Sequence, residues 1–216
     1  MSLEILSPLL ISLQLAAVTS VILLIIGVPL AFWLNQLHGI WRAVLESIVA
    51  VPLVLPPTVL GFYLLLLLGP NGMFAPLELV FSFPGLVIGS VLFSLPFMVR
   101  PAQSAFEGIA PSVFEAAACL GVGPWQRFFL LALPLARNGI LSGLVLSFAH
   151  TLGEFGVVLM VGGNIPDQTR VLSIAIFDAV ERADYAQAHL LSVGLVLFSF
   201  AAMVLVAWLN HRKQPQ

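Results

Sequence analysis

The sequence predicts an all-α integral membrane protein with about five membrane spans. Of its 216 residues, 60% are hydrophobic and only 8% are charged, whereas soluble domains carry roughly 25% charged residues. The hydrophobic residues form long runs, separated by shorter segments that carry charges and turn-forming residues. Because a helix satisfies its backbone hydrogen bonds internally, apolar runs of about 20 residues cross a bilayer as helices.

The charged and metal-binding residues exclude several other classes of protein. The net charge of −2 gives no basic surface that would recruit nucleic acid. The single cysteine, Cys119, excludes an intrachain disulfide, and the four histidines lack the spacing of a metal site. We therefore expect no bound metal, no cofactor of this chain's own and no catalytic residues.

The long apolar runs are taken as membrane spans. The first has no basic residue before it, so it lacks the start of a cleaved signal peptide and is expected to remain in place. The third is the shortest, and we place its end at Arg100. The predicted spans cover residues 9–34, 47–68, 84–100, 138–160 and 188–209.

The second span contains residues that disturb a helix. Pro56 and Pro57 remove backbone donors, and Gly61 follows within a turn. We predict that this helix is bent or broken. The interruption is either part of a transport route, with Thr58 and Gly61 beside it, or a packing kink.

The fourth span carries small residues at every fourth position. Gly139, Gly143 and Ser147 would form a stripe along which another helix approaches closely.

The same span ends in the polar segment HTLGEFG. As a continuous helix it would place His150 and Glu154 on one face, four residues apart, with Thr151 beside Glu154. This surface, together with Ser147, is a candidate lining for a transport route. We favour a structural or gating role for Glu154 over contact with a substrate.

Residues 162–170, GGNIPDQTR, are predicted to form a loop. The apolar segment 171–180 that follows is too short to cross a bilayer, so we expect a re-entrant or interfacial helix.

Residues 112–134, here called the hairpin, are unusually polar for this chain. Ser112 and Glu115 have the spacing of a capping box, which predicts a helix from about Val113. Gly121 is suited to a left-handed helix end, and Pro124 to the first position of a second helix that should stop near Pro134. Such a projecting hairpin suits docking on a partner.

The hairpin resembles the EAA loop of ABC importer permeases. The resemblance rests on Glu115-Ala116-Ala117, on Gly121 and on Leu131-Ala132-Leu133-Pro134, with Leu131 in place of the usual isoleucine. It implies a type I ABC importer permease fold whose coupling loop, residues 101–137, inserts into a groove on a cytoplasmic ATPase. Glu115, Ala116, Ala117, Gly121, Leu131 and Pro134 would then carry the coupling.

Two further segments resemble permeases of oxyanion importers. Residues 55–63, LPPTVLGFY, are similar to the molybdate type, whereas Gly-Glu-Phe-Gly at 153–156 and Asn-Ile-Pro at 164–166 are shared with sulfate permeases. The resemblance implies import of molybdate or tungstate, with a sulfate or thiosulfate permease as the alternative.

The resemblance also implies partners. They are a second copy of this chain, two copies of an ATPase that uses ATP and Mg, and an external molybdate-binding protein. The residues expected to contact the binding protein are Asn164, Pro166, Thr169 and Arg170.

The distribution of basic residues agrees with a cytoplasmic hairpin. With five spans in a bacterial plasma membrane, the N-terminus would then lie outside and the C-terminus inside. The inside would hold Arg42, Arg100, Arg127, Arg137, Arg212 and Lys213, and the outside Arg170 and Arg182.

Other function classes have weaker support in the sequence. The only lysine, Lys213, is not in a phosphate-binding P-loop, so any ATP must be hydrolysed by another subunit. An intramembrane enzyme would need Ser90 and His150 as a pair, and Ser90 is in no nucleophile motif. A secondary transporter would need paired ionisable groups, for which only His150 and Glu154 qualify.

Overall fold

The computed structural model describes residues 3–211, and side chains from 6 to 209. Within this range the chain is helical and contains no strand. The helices are α1 Leu3–Gln36, α2 Gly39–Ala50, α3 Pro57–Leu68, α4 Phe83–Glu107, α5 Pro111–Cys119, α6 Pro124–Arg127, α7 Leu133–Gly153, α8 Gly156–Gly162, α9 Leu172–Glu181 and α10 Tyr185–His211.

Four helical stretches in the described range are long and apolar enough to cross a membrane. They are Leu6–Gln36, Phe83–Glu107, Pro124–Gly153 and Tyr185–Leu209. Counting α2 and α3 as one interrupted span gives five. Helix α9 has ten residues, about 15 Å of helix, which is too short to cross. Arg212 and Lys213, used above to orient the chain, lie outside the described residues.

The second span is broken, as predicted. After α2 the chain makes a short 3₁₀ turn, Val51–Leu53, and α3 then starts at Pro57 with Pro56 as its N-cap. The two parts meet at an angle of 102°. Proline at the first helical position loses no internal hydrogen bond, so the Pro-Pro pair ends one helix and begins the next.

The third span is longer than predicted. Helix α4 continues past Arg100 and contains both Pro96 and Pro101. Its apolar face also continues, because Ala102 and Phe106 are buried beyond that point while Arg100 is exposed. Tertiary packing of this face therefore outweighs the lost proline hydrogen bonds.

The second arm of the hairpin was predicted to stop near Pro134, but the helix continues past that residue. Helix α6 runs into a π-helical turn, Phe128–Ala132, and then directly into α7. Leu133 N donates to Phe128 O, five residues back. This wider turn accommodates the ring of Pro134, which would otherwise meet the carbonyl four residues earlier. The result is one helical unit from Pro124 to Gly153.

The fourth span is also interrupted, although a continuous helix over 138–160 was predicted. Helix α7 ends at Gly153, Glu154 is extended, and α8 begins at Gly156.

Helices α1, α4 and α7 pack together at the centre of the molecule. The predicted stripe of small residues lies in this packing: Gly139, Gly143 and Ser147 are all buried. A Cβ added at Gly143 would lie 2.9 Å from the backbone oxygen of Met98 on α4. The absence of a side chain there sets the distance between α4 and α7.

Gly143→Val is therefore expected to destabilise the protein by about 1–3 kcal/mol, since a β-branched side chain would force α4 and α7 apart. The measurement is the thermal unfolding midpoint of the detergent-purified protein. Gly194→Val is the matched control, because a Cβ at Gly194 on α10 meets nothing within 4 Å. Equal losses in the two variants would mean that helix propensity, not packing, sets the effect.

Candidate functional site

The hairpin begins with α5, which starts at Pro111, two residues before the predicted start at Val113. Ala110 occupies the N-cap position and no side chain caps the helix. The predicted capping box of Ser112 and Glu115 is therefore wrong. Pro111 at the first helical position already has no N–H, so one of the free donors of this helix end is absent.

The turn of the hairpin has the predicted left-handed glycine. Gly121 has φ +75°. Val122 N donates to Ala117 O at 3.0 Å and Gly121 N to Ala118 O at 3.0 Å, which closes the end of α5. On the other side, Gly123 N donates to the side-chain oxygen of Gln126 at 3.2 Å, just before Pro124 starts α6.

The outer surface of the hairpin is apolar and exposed. Leu120 at the turn is 83% exposed and Trp125 is 75% exposed. Glu115 and Ala116 also face outward, whereas Ala117 is buried against the rest of the protein. Leu131 is partly buried and Pro134 is exposed. Large apolar side chains in this number on a projecting turn indicate an interaction surface.

The base of the hairpin is held by a phenylalanine that sequence reasoning missed. The ring of Phe32 on α1 lies 4.9 Å from Phe128, 5.3 Å from Phe106 on α4 and 6.4 Å from Phe114 on α5, measured between centroids. Each such pair contributes about 0.5–1.5 kcal/mol beyond the area it buries. This Phe32 cluster joins both arms of the hairpin to two long helices.

The two helix breaks meet at a cleft of about 590 Å³. Pro57 and Thr58 at the start of α3 line one side, and residues 153–156 line the other. A Cβ on Gly156 would lie 2.6 Å from Cβ of Pro57, so only glycine allows this approach. The structure thus brings together two segments that sequence reasoning had singled out separately.

Glu154 sits in the break and closes it. Its Oε1 accepts from Val157 N at 2.6 Å and its Oε2 from Val158 N at 3.0 Å, so the side chain caps α8. Its backbone oxygen accepts from Ser173 Oγ of α9 at 2.6 Å. The predicted shared helical face with His150 does not form, because α7 ends at Gly153.

His150 also lines the cleft, but it belongs to a different set of contacts from Glu154. Its ring stacks on Phe97 at 3.9 Å, and its Nδ1 lies 2.9 Å from Ser94 Oγ. Ser94 Oγ is 3.0 Å from Thr151 Oγ1, which donates to Ser147 O. The Ser90 and His150 pair that an intramembrane enzyme would need, an interpretation that the sequence did not favour, does not form, because His150 is paired with Ser94.

Three of the residues proposed for the route are buried in helix packing instead of lining the cleft. Ser147 and Thr151 are buried within α7. Gly61 is buried on α3, where a Cβ would lie 2.7 Å from Cβ of Met160. Pro56, by contrast, is exposed at the break.

The cleft offers few strong ligands for a solute. None of the described residues that line it is Lys or Arg. Nor do residues 3–211 contain a group of three His, Cys, Asp or Glu side chains placed to hold a metal ion. The cleft can make weak polar contacts, for example through the Thr58 hydroxyl, without holding an ion tightly.

The loop over residues 163–171 is fixed by its own side chains. Thr169 is fully buried, and its Oγ1 donates to Gly162 O at 2.6 Å. Asn164 Nδ2 donates to Asp178 of α9, and Arg170 Nε donates to Asn164 Oδ1 at 2.6 Å. Asp178, which sequence reasoning missed, thereby ties the loop to α9. Pro166 remains exposed.

Comparisons with known proteins agree with this architecture. Residues 24–215 match the family described as binding-protein-dependent transport system inner membrane component. The chain is 50% identical over 209 residues to the molybdenum transport system permease protein ModB of Azotobacter vinelandii, covering 94% of this chain and 92% of that protein. It is 33% identical to ModB of Escherichia coli (strain K12), covering 93% and 91%. It is 30% identical to the probable sulfate transport system permease protein cysT of Anthoceros angustus, covering 87% and 67%.

Solved structures share the fold at low sequence identity. A bacterial alginate ABC transporter, in complex with an alginate pentasaccharide-bound periplasmic protein, aligns with TM-score 0.74 at 17% identity, covering 99% of this chain and 80% of that chain. An inward-facing MetNI methionine ABC transporter aligns with TM-score 0.71 at 17% identity, covering 97% and 99%. The chain therefore belongs to the family of binding-protein-dependent transport system inner membrane components, and it has the fold of an ABC importer permease.

Proposed function

We propose that this chain is the permease subunit of an importer for molybdate or tungstate in a bacterial plasma membrane. The observation that carries the proposal is that two helix breaks meet at a cleft whose lining contains no Lys or Arg. One continuous helical unit connects this cleft to the exposed hairpin. Two relatives across nearly the whole chain are permeases of molybdenum transport systems, at 50% and 33% identity. The sulfate permease relative is more distant and considerably longer than the aligned region.

Two copies of the chain would enclose the route, with two copies of a cytoplasmic ATPase bound to their hairpins. ATP and Mg would be used by that subunit alone. Glu115, Ala116, Ala117 and Gly121 would form the inserted part of the hairpin, with Leu131 and Pro134 at its connection to α7. Leu120 and Trp125 are the most exposed of the large apolar side chains of the hairpin and are available for this contact.

The mechanism is alternating access. Closure of the ATPase on ATP moves the hairpins, and the hairpin is continuous with α7 through the π-helical turn. Helix α7 ends at Gly153, where the cleft begins. A displacement of the hairpin end of this unit therefore reaches the helix break at its other end. We place the gate at this break, between Pro56–Thr58 and Glu154. Gly61, Ser147 and Thr151 support that gate through packing.

An external binding protein would deliver the oxyanion and supply most of the specificity. Its docking surface would include the exposed residues of the 163–171 loop, Asn164 and Pro166 among them. Thr169 and Arg170 would act indirectly, since both are engaged in holding the loop.

The substrate can be tested in cells that lack this chain. We expect loss of molybdenum-dependent enzyme activity at trace molybdate, recovery in excess molybdate and normal growth on sulfate as sole sulfur source. The reason is that excess anion enters through unrelated carriers. Sulfur auxotrophy with intact molybdoenzyme activity would show that the substrate is sulfate and not molybdate, and the chain would still be a permease.

Coupling can be tested at the turn of the hairpin. Gly121→Val places a β-branched residue at φ +75°, at a cost of roughly 1–2 kcal/mol. Substrate-stimulated ATP hydrolysis and transport by the assembled complex should fall several-fold while the permease still inserts. Gly39→Val is the matched control, because Gly39 has φ +66° and, like Gly121, nothing within 4 Å of an added Cβ. Similar losses in both variants would argue for general strain and against coupling at the hairpin.

The orientation can be tested with an impermeant thiol reagent, because Cys119 is exposed near the turn of the hairpin. Intact cells should leave Cys119 unlabelled, and detergent-solubilised protein should be labelled. In a Cys119→Ser background, Pro166→Cys should react in intact cells. Labelling of Cys119 from outside would reverse the proposed topology.

A further inference from the structure

Two neighbouring cavities lie between the end of α1 and the second arm of the hairpin. One has a volume of about 280 Å³ and a polar end formed by Asn35 and Arg127. The other, about 290 Å³, is almost entirely apolar and extends along α1 to Pro29. Phe32, Gln36 and Pro124 line both. Together the cavities form one groove with a cationic end and an apolar end.

The cationic end lacks an anionic partner among the described residues. Arg127 Nε is buried and has no hydrogen-bond partner among the described residues. The ion pairs found in the described part of the chain involve Arg42 and Arg170, not Arg127. Burying a donor of a charged group without a partner costs free energy, so an anion from outside the chain would be stabilised there.

The apolar end lies along a membrane span. Pro29 and Trp33 belong to the apolar stretch Leu6–Gln36, and Trp33 is half exposed beside the groove. Trp125 of the hairpin lines the same groove. Tryptophan is enriched where membrane meets water, and basic pockets between membrane helices on the cytoplasmic side bind anionic lipid headgroups. A soluble protein could reach Arg127 but not the length of α1 within the bilayer.

We propose that this groove binds one anionic phospholipid. Its phosphate accepts hydrogen bonds from Arg127, near the amides of Asn35 and Gln36, and one acyl chain lies against Pro29, Trp33 and Phe128. The lipid belongs to the cytoplasmic leaflet if the hairpin is cytoplasmic. It joins α1 to the second arm of the hairpin beside the Phe32 cluster, so its presence strengthens the link between the ATPase and the membrane helices. This inference goes beyond transport of the oxyanion and does not depend on which oxyanion is carried.

Tryptophan quenching tests the site in the assembled permease and ATPase complex. Trp41→Phe, Trp125→Phe and Trp208→Phe leave Trp33, which lines the groove, as the permease's reporter, and the ATPase's tryptophans are likewise replaced. The complex is placed in nanodiscs with phosphatidylglycerol or phosphatidylcholine brominated on the acyl chains. Brominated phosphatidylglycerol should quench the tryptophan fluorescence at a mole fraction about fivefold lower than brominated phosphatidylcholine does. This ratio corresponds to about 1 kcal/mol, the contribution expected of one basic residue.

Arg127→Gln should abolish this preference and Arg127→Lys should keep it, which separates charge from folding. Arg137→Gln is the control, because it removes an exposed arginine from the start of α7, outside both cavities. Equal quenching by the two lipids in the complex with Arg127 intact would overturn the proposal, because it would mean that only non-specific boundary lipid contacts the groove. Relief of quenching by millimolar inorganic phosphate would overturn it in favour of a free anion. Loss of ATPase binding in Arg127→Gln without a change in lipid preference would assign Arg127 to a carboxylate of the ATPase.

Discussion

In a bilayer, every backbone N–H and C=O must find its partner within the protein, and this constraint governs the interrupted helices of the permease. Where α7 stops and α8 begins, the free donors of α8 would face an apolar interior. Glu154 supplies both acceptors, to Val157 N and Val158 N. Thr169 performs the corresponding task at the other end of α8 by donating to Gly162 O. A seven-residue helix is thereby closed at both ends by side chains.

Under the proposed function, the cap also explains how an acidic residue can border a route for an anion. Burying a charged group costs several kcal/mol, and hydrogen bonds to a charged group return about 1.5–3 kcal/mol each. Two such bonds from α8 therefore offset much of the cost of burying Glu154. Its oxygens are directed at backbone donors, so they repel a passing oxyanion less than free oxygens would. Of the other residues that line the cleft, His150 alone has an ionisable side chain, and Thr58 and Gly153 carry no charge.

The sequence predicted the small-residue stripe of α7 and most features that depend on single residues, although the capping box of Ser112 and Glu115 was wrong, and it missed how far helices extend through packing. Gly121 and the pair Pro56-Pro57 act through backbone conformation, which the residue type largely decides. The end of α4 and the passage of α7 through Pro134 depend instead on what the helices bury. The Phe32 cluster joins residues distant in the chain, so no local pattern could reveal it.

The two arms of the hairpin are attached differently, and this asymmetry bears on coupling under the proposed function. The first arm is separated from α4 by the non-helical residues 108–110, whereas the second continues through the π-helical turn into α7. The unit Pro124–Gly153 has 30 residues, about 45 Å of helix. A force on the hairpin is therefore carried along α7 to the cleft, while α4 can follow only through side-chain contacts. Phe32 provides part of those contacts, since it touches Phe106 of α4 and Phe128 of the second arm. Motion of α7 relative to α4 must then act against the Phe32 cluster at one end, against the Gly143 contact in the middle, and against the contacts of Ser94 with His150 and Thr151 at the end beside the cleft.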